Sequence, residues 1–291
     1  LIAAHAPELT LTSRYSFEFF PPKTSASSLA LDTCLAGLAS WQPEFSSITY
    51  GAGGSSQAQS YSVVRRIQNR GLEAAAHITA VGASAAEVNK VAQSFVQAGV
   101  NHLVALRGDS PEGEFEPHPQ GYRYGTDLVA GLRQWFDGVI SVAGYPDVHP
   151  QAKGEQSDLD HLEAKVQAGG SQIMTQYCYD TDVLLRFAER IRARGIDVPI
   201  IVGVMPIHDI QAIQRFSARC GAKVPAAIAQ QFEHLSDSND QFQLAIDIAH
   251  QQIERLADNG LNQVHLYTLN RPQWVHGILQ RLVPESFAKS A

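Results

Sequence analysis

The sequence predicts an α/β fold: a (β/α)8 barrel with extra helices between units seven and eight. Three observations lead there. Eight short, β-rich apolar runs alternate with stretches of helical periodicity. Runs such as HLVALRG and PIIVGVMP are apolar almost throughout, as strands covered on both faces are. The eight units fill 291 residues, a length that suits one barrel.

The strands read YSFEFF (15–20), FSSITYG (45–51), EAAAHITAV (73–81), HLVALRG (102–108), GVISVAGY (138–145), QIMTQYCY (172–179), PIIVGVMPI (199–207) and QVHLYTLN (263–270). Their helices are expected over 27–40, 57–70, 84–98, 126–136, 157–168, 181–194, 209–219 and 272–282. Ser27, Ser84, Ser157, Thr181 and Asp209 stand at plausible N-caps. Asn69, Arg70, Gly71 and Ala193, Arg194, Gly195 read as helix ends with glycine stops. The stretch 224–258 is additional and amphipathic, so it should form one or two further helices. No linker or low-complexity tract interrupts the pattern. The expected organisation is therefore one catalytic domain over 1–291, with a short N-terminal extension over 1–13. An open doubly wound sheet would usually carry G-x-G-x-x-G after its first strand. The nearest glycine cluster, Gly51, Gly53 and Gly54, has Ser56 where the third glycine belongs.

Composition narrows the function. Hydrophobic residues make up 44% and charged residues 18%, with a formal net charge of −7 and no block of like charge. Nucleic acid is a poor partner for such a surface. No apolar run reaches the roughly 18 residues of a membrane span, and LIAAHAPELT lacks the basic start and apolar core of a secretion signal. The chain begins without Met, and Cys34, Cys178 and Cys220 are few and far apart. Reduced thiols in a cytoplasmic enzyme are the simplest reading.

In such a barrel, chemistry belongs at the C-terminal strand ends. Polar residues crowd there: Glu18, Thr49, Tyr50, His77, Arg107, Asp109, Tyr145, His149, Lys153, Gln176, Tyr267 and Arg271. Glu18 stands among Phe17, Phe19 and Phe20. An acid kept protonated in an apolar pocket, ready to give up its proton, and a paired structural carboxylate are both open readings. No H-E-x-x-H occurs, and His149 with His161 would have to join a loop to a helix, so a metal centre is weakly indicated. Cys178 reads as core, within a strand and without a base. A hydrolase using Glu18 and Asp109 as its carboxylate pair stays open on residues alone. Against it, Arg107, His77, Tyr145, His149 and Lys165 suit a large anionic ligand better than a neutral sugar.

With SFEFFPPKT, SITYGAGG, EAAAHIT, HLVALRGD, ISVAGYPDVHPQAK, MTQYCYD and LYTLNR in this order, the chain resembles the methylenetetrahydrofolate reductases of the bacterial, single-domain type, over about residues 14–282. The resemblance implies a flavin-dependent barrel. It carries FAD contacts onto Thr49, Tyr50, Ala52, His77, Arg107, Gly108, Asp109, Tyr145, His149, Ala152, Asp158, His161, Ala164 and Lys165, and more loosely onto Tyr124 and Gly125. Cations at Arg107, His149 and Lys165 make sense beside a diphosphate that no glycine fingerprint cradles. It carries substrate contacts onto Glu18, Thr49, Asp109, Gln176, Phe216, Tyr267, Leu269 and Arg271. Ala212 departs from the glutamine that the family can have there, which weakens detail on that lip of the site.

The implied activity is a ping-pong reduction of 5,10-methylenetetrahydrofolate to 5-methyltetrahydrofolate. NADH or NADPH reduces the FAD first, and the product feeds methionine synthesis. Protonation of the substrate's N10 opens its five-membered ring to a better hydride acceptor. Glu18 is the implied acid, and an ionised Asp109 the implied electrostatic partner. The resemblance further suggests a homo-oligomer in the cytoplasm, with no regulatory domain.

Overall fold

The computed structural model describes residues 14–49, 57–108 and 116–282. Eight strands close a fully parallel barrel in chain order: β1 (Arg14–Phe19), β2 (Ser46–Ile48), β3 (Ala74–Thr79), β4 (His102–Leu106), β5 (Val139–Gly144), β6 (Gln172–Thr175), β7 (Ile200–Val204) and β8 (Gln263–Tyr267). The helices are α1 (Ser25–Ala39), α2 (Gln57–Gln68), α3 (Ala85–Gln97), α4 (Gly125–Arg133), α5 (Glu155–Gln167), α6 (Thr181–Ala193), α7 (Ile210–Cys220), α8 (Ala226–Glu233), α9 (Ser238–Asp258) and α10 (Pro272–Leu282). The addition between units seven and eight is thus the pair α8 and α9.

Three caps fall elsewhere than expected. Thr24, not Ser27, caps α1. Ser27 is its reciprocal partner, and the Thr24 N–H donates to Ser27 Oγ at 2.9 Å. Asp180, not Thr181, caps α6, accepting from the N–H groups of Asp182 (2.9 Å) and Val183 (3.2 Å). Helix α5 begins at Glu155 after Gly154, ahead of Ser157. Ser84 and Asp209 cap α3 and α7 as their sequences suggest.

The apolar runs outlast the strands. QIMTQYCY is a strand only through Thr175, and the buried Tyr177, Cys178 and Tyr179 belong to the following loop. Tyr177 packs on Phe216 and meets Ser217 of α7 instead of continuing the ladder, so apolarity alone could not mark where pairing stops. Cys178 is therefore not in a strand, and burial pushes its thiol well above the ordinary range.

Alternation along β1 decides what surrounds Glu18. Tyr15, Phe17 and Phe19 face outward into the core between barrel and helices. Ser16 and Glu18 face the barrel interior. The phenylalanines that flank Glu18 in sequence are on the other side of the sheet, and they do not form its pocket. Inside the barrel, a smaller apolar layer of Phe45, Ala75, Val104, Met174 and Ile201 fills the interior. His102 packs edge-on to Phe45 at 4.3 Å, with its Nε2 2.7 Å from Ser141 Oγ and 3.1 Å from Gln172 Nε2.

Burial pushes the His102 imidazole down to about 3, so it folds neutral. An unfolded chain protonates this histidine below its ordinary range, near 6.5. The unfolded state then binds more protons than the native state as the pH falls from about 6.5 toward 3, and stability is lost over that window. We expect His102 to contribute a slope of about 1 kcal/mol per pH unit there. Denaturant unfolding at pH 4 to 7 should show a shallower dependence in His102→Gln than in the parent.

Candidate active site

The mouth of the barrel is built around Glu18, which is 5% exposed. Register places it beside Ser47 of β2 and Tyr267 of β8. Its Oε2 lies 3.5 Å from His265 Nε2 and 3.7 Å from His77 Nε2. His265 is fully buried, with Nδ1 2.7 Å from Ser16 Oγ and Nε2 3.1 Å from Ser47 Oγ. The carboxylate thus shares the interior with two imidazoles and two hydroxyls. Burial lowers the His77 pKa, against the pull of Glu18, with His265 lowering it further. Burial, and then the Glu18 charge, raises the Tyr267 phenol well above its ordinary range, so it stays a neutral hydroxyl.

Two buried atoms at this mouth, His77 Nε2 and Thr49 Oγ1, have no hydrogen-bond partner among the described residues. Buried polar atoms are nearly always paired, so these point to a ligand.

The Glu18 backbone is fastened to the other end of the chain. Thr268 Oγ1 donates to the Glu18 carbonyl at 2.6 Å, and the Thr268 N–H at 3.1 Å. Asn270 Nδ2 donates to the Phe20 carbonyl at 2.9 Å, and the Phe20 N–H returns a bond to Asn270 Oδ1 at 3.1 Å. Leu269 (φ 52°) and Asn270 (φ 53°) both lie in the left-handed region. That conformation is costly for leucine, so the surrounding contacts must enforce it. It carries the chain on to Arg271, which is exposed, and whose N–H donates to the Thr268 carbonyl at 2.8 Å. Gly203 on β7 makes room nearby: an added Cβ would come 2.5 Å from the Thr175 carbonyl and 3.1 Å from the Tyr267 ring.

A second group lies on the β4 and β5 side. Lys165 Nζ donates to the Ala143 carbonyl and stands 5.9 Å from the Tyr145 ring centre. Burial pushes its ammonium down to about 8, while Asp158 favours the charge. Asp158 also accepts from the His149 N–H at 2.9 Å, and the His149 ring packs edge-on to Tyr145 at 4.6 Å. The Ala152 N–H donates to the His149 carbonyl at 2.8 Å. Asp158, His161 and Lys165 share a stripe of α5, with Ala164 beside it. Gly125 lies against Lys165, whose Cδ would be 3.3 Å from an added Cβ, and Tyr124 before it is exposed. Arg107 donates to Gln151 Oε1 at 2.6 Å, linking the loops after β4 and β5. Gly108 has φ 82°, and a Cβ there would come 2.6 Å from Val81 Cγ1, so only glycine fits.

A third group is aromatic. Tyr177 packs edge-on to Tyr267 at 5.8 Å and stacks on Phe216 at 6.2 Å. Phe216 is 40% exposed, at the rim. The half-buried Gln176 precedes Tyr177, and its N–H donates to the Gly144 carbonyl at 2.8 Å.

Glu18, Thr49, His77 and Tyr267 therefore meet at one mouth. Tyr145, His149, Asp158 and Lys165 cluster on one flank, and Gln176 and Phe216 line another. Tyr50, Ala52 and Asp109 lie outside the described residues. His265, Ser16 and Ser47 were not anticipated, although the period-2 pattern of YSFEFF, FSSITYG and QVHLYTLN sets each of them on the inward face. Among the described residues no cluster of histidine, cysteine or carboxylate side chains could hold a metal ion, and no helix is long and apolar enough to cross a membrane.

A closed (β/α)8 barrel with a carboxylate buried beside two imidazoles, a buried lysine on one flank and an exposed aromatic at its rim is the architecture of a barrel enzyme. Comparison with known proteins narrows this class. The methylenetetrahydrofolate reductase family profile matches residues 4–283, and the chain belongs to that family, whose members are oxidoreductases. It is 39% identical to the 5,10-methylenetetrahydrofolate reductase of Escherichia coli (strain K12) over 269 residues, spanning 92% of this chain and 90% of that protein. It is 34% identical to methylenetetrahydrofolate reductase (NADH) 1 of Arabidopsis thaliana over 283 residues, 92% of this chain but 48% of the plant protein. A Clostridium thermocellum protein described as binding two copies of 5-methyl-5,6,7,8-tetrahydrofolic acid shares the fold, with a TM-score of 0.62 at 12% identity, covering 95% of this chain and 96% of that one. Family membership supports reduction of methylenetetrahydrofolate. The barrel-hydrolase alternative finds no support in these relationships.

Proposed function

We propose that this one barrel reduces 5,10-methylenetetrahydrofolate to 5-methyltetrahydrofolate with non-covalently held FAD and a reduced nicotinamide dinucleotide. The observation that carries the reading is the buried Glu18 carboxyl at the mouth, beside His77 Nε2 and Thr49 Oγ1, which have no hydrogen-bond partner among the described residues.

The residues fit FAD. His77 and Thr49 offer polar atoms that have no hydrogen-bond partner among the described residues. Lys165, Arg107 and His149 surround the flank where a diphosphate would be neutralised. Bound FAD would supply the hydride chemistry between the nicotinamide and the folate. The protein's own part is positioning and proton supply. Glu18 gives a proton to the substrate's N10, which opens the ring to a cation that accepts hydride readily. His265, tied to Ser16 and Ser47, fixes the carboxyl from below. Gln176 offers a donor and an acceptor to the pterin edge. Asp109, a fixed negative charge, steadies the cation. Phe216, backed by the buried Tyr177, offers an exposed aromatic face to a flat ligand.

The visible spectrum tests this reading. The purified protein, supplied with FAD, should be yellow, and NADH or NADPH without oxygen should bleach it. Methylenetetrahydrofolate should then restore the colour, and heat or acid should release free FAD. A protein that stays colourless in the presence of FAD would overturn the proposal.

A further inference from the structure

The added helix α9 packs against α10 and α6 and buries Ala245, Ile246, Ala249, Ile253 and Leu256. One polar residue is buried with them. Gln252 is 7% exposed, a costly place for an amide unless it is bonded. Its Nε2 donates to the Cys178 carbonyl at 2.8 Å.

That carbonyl belongs to the loop joining β6 to α6, which carries Gln176. Beyond Thr175 the loop has left the sheet and needs other anchors. Among the described residues it is tied to the end of β5 and to α7. The Gln176 N–H reaches the Gly144 carbonyl at 2.8 Å, and the Tyr177 N–H donates to Gln176 Oε1 at 3.1 Å. The Tyr177 hydroxyl lies 3.0 Å from Ser217 Oγ on α7. One turn further along α9, Arg255 pairs with Asp182 at the start of α6. Helix α9 thus grips this loop at its middle and at its exit. The bond from Gln252 falls two residues after Gln176.

We propose that Gln252 is a positioning residue for folate: through the Cys178 carbonyl it sets the Gln176 side chain against the pterin. This rests on the reading of Gln176 as a pterin-binding residue. The insertion that separates units seven and eight then has a function in substrate affinity, beyond packing against α10 and α6.

The test uses Gln252→Met, which keeps length and removes the donor, and Gln252→Leu, which removes it with a shorter apolar side chain. Each is compared with Gln176→Ala and with the double variant, in the FAD-loaded protein. Binding of 5-methyltetrahydrofolate by calorimetry and KM for methylenetetrahydrofolate should both worsen about 5- to 30-fold, the scale of one misplaced or lost hydrogen bond. Bleaching by NADH and flavin content should be unchanged, and Gln252→Met should add little on top of Gln176→Ala. A purely structural role would lower Tm and leave folate binding alone, which overturns the proposal. So does an equal loss in both half-reactions, or an effect that adds fully to that of Gln176→Ala. If Gln176→Ala itself leaves folate affinity intact, the underlying assignment of Gln176 fails, and this inference fails with it. Should one Gln252 variant not fold, the other decides.

Discussion

Glu18→Gln is expected to abolish most folate reduction while leaving the flavin bound and reducible. The substitution keeps size and hydrogen bonding but cannot release a proton to N10. Positioned proton transfer contributes about 10²–10⁴-fold, and the loss should be of that order. Transfer of hydride from NADH to the flavin needs no acid at this position, so bleaching should continue at close to the parent rate. Following bleaching and re-oxidation on one preparation separates this from a structural effect. A merely structural carboxylate would loosen β1, weaken flavin binding and slow both halves together. Substantial folate reduction by a clean Glu18→Gln sample would remove Glu18 from the mechanism.

The second large effect concerns Lys165. Its ammonium is already pushed down to about 8 by burial. Below that pH it is a cation ready for a diphosphate; above it the charge is lost. FAD affinity should therefore fall between pH 7 and 9.5 in the parent protein. Lys165→Met should bind FAD about 10- to 100-fold more weakly at pH 7, the scale of a lost charge-assisted contact, and should lose this pH dependence. Flavin fluorescence titrations read both quantities. Undiminished affinity in Lys165→Met would take this residue out of the cofactor site.

Much of this architecture was legible in the sequence, because alternating strands and helices write a barrel plainly. Polar residues at strand ends, such as His77, Arg107 and Gln176, stood out because core physics has no use for them there. What could not be read is instructive. Phe17 and Phe19 seemed to enclose Glu18, yet neighbours in a strand face opposite ways. The true surroundings, His77 and His265, come from strands 59 and 247 residues further along the chain. Nothing local in SFEFF could announce them. Likewise Tyr177, Cys178 and Tyr179 read as strand because burial, not pairing, dictates their composition. The caps at Thr24 and Asp180 were missed by a few residues because several small polar residues stand in a row at each helix start.

The bonds from Thr268 and Asn270 to Glu18 and Phe20 span 250 residues each. They sew the first strand to the last at the level of the acid. The site is therefore assembled late in the life of each chain, however early Glu18 leaves the ribosome. A nascent polypeptide holding seven units would have its carboxyl, most of its cofactor flank and no seam. Contacts of such separation form slowly, because a long loop must close before they contribute anything. Partly closed barrels should thus be silent rather than sluggish, and recovery of folate turnover during refolding should lag behind the recovery of helix content. Enzymatic activity becomes a clock for barrel closure, readable without any added label.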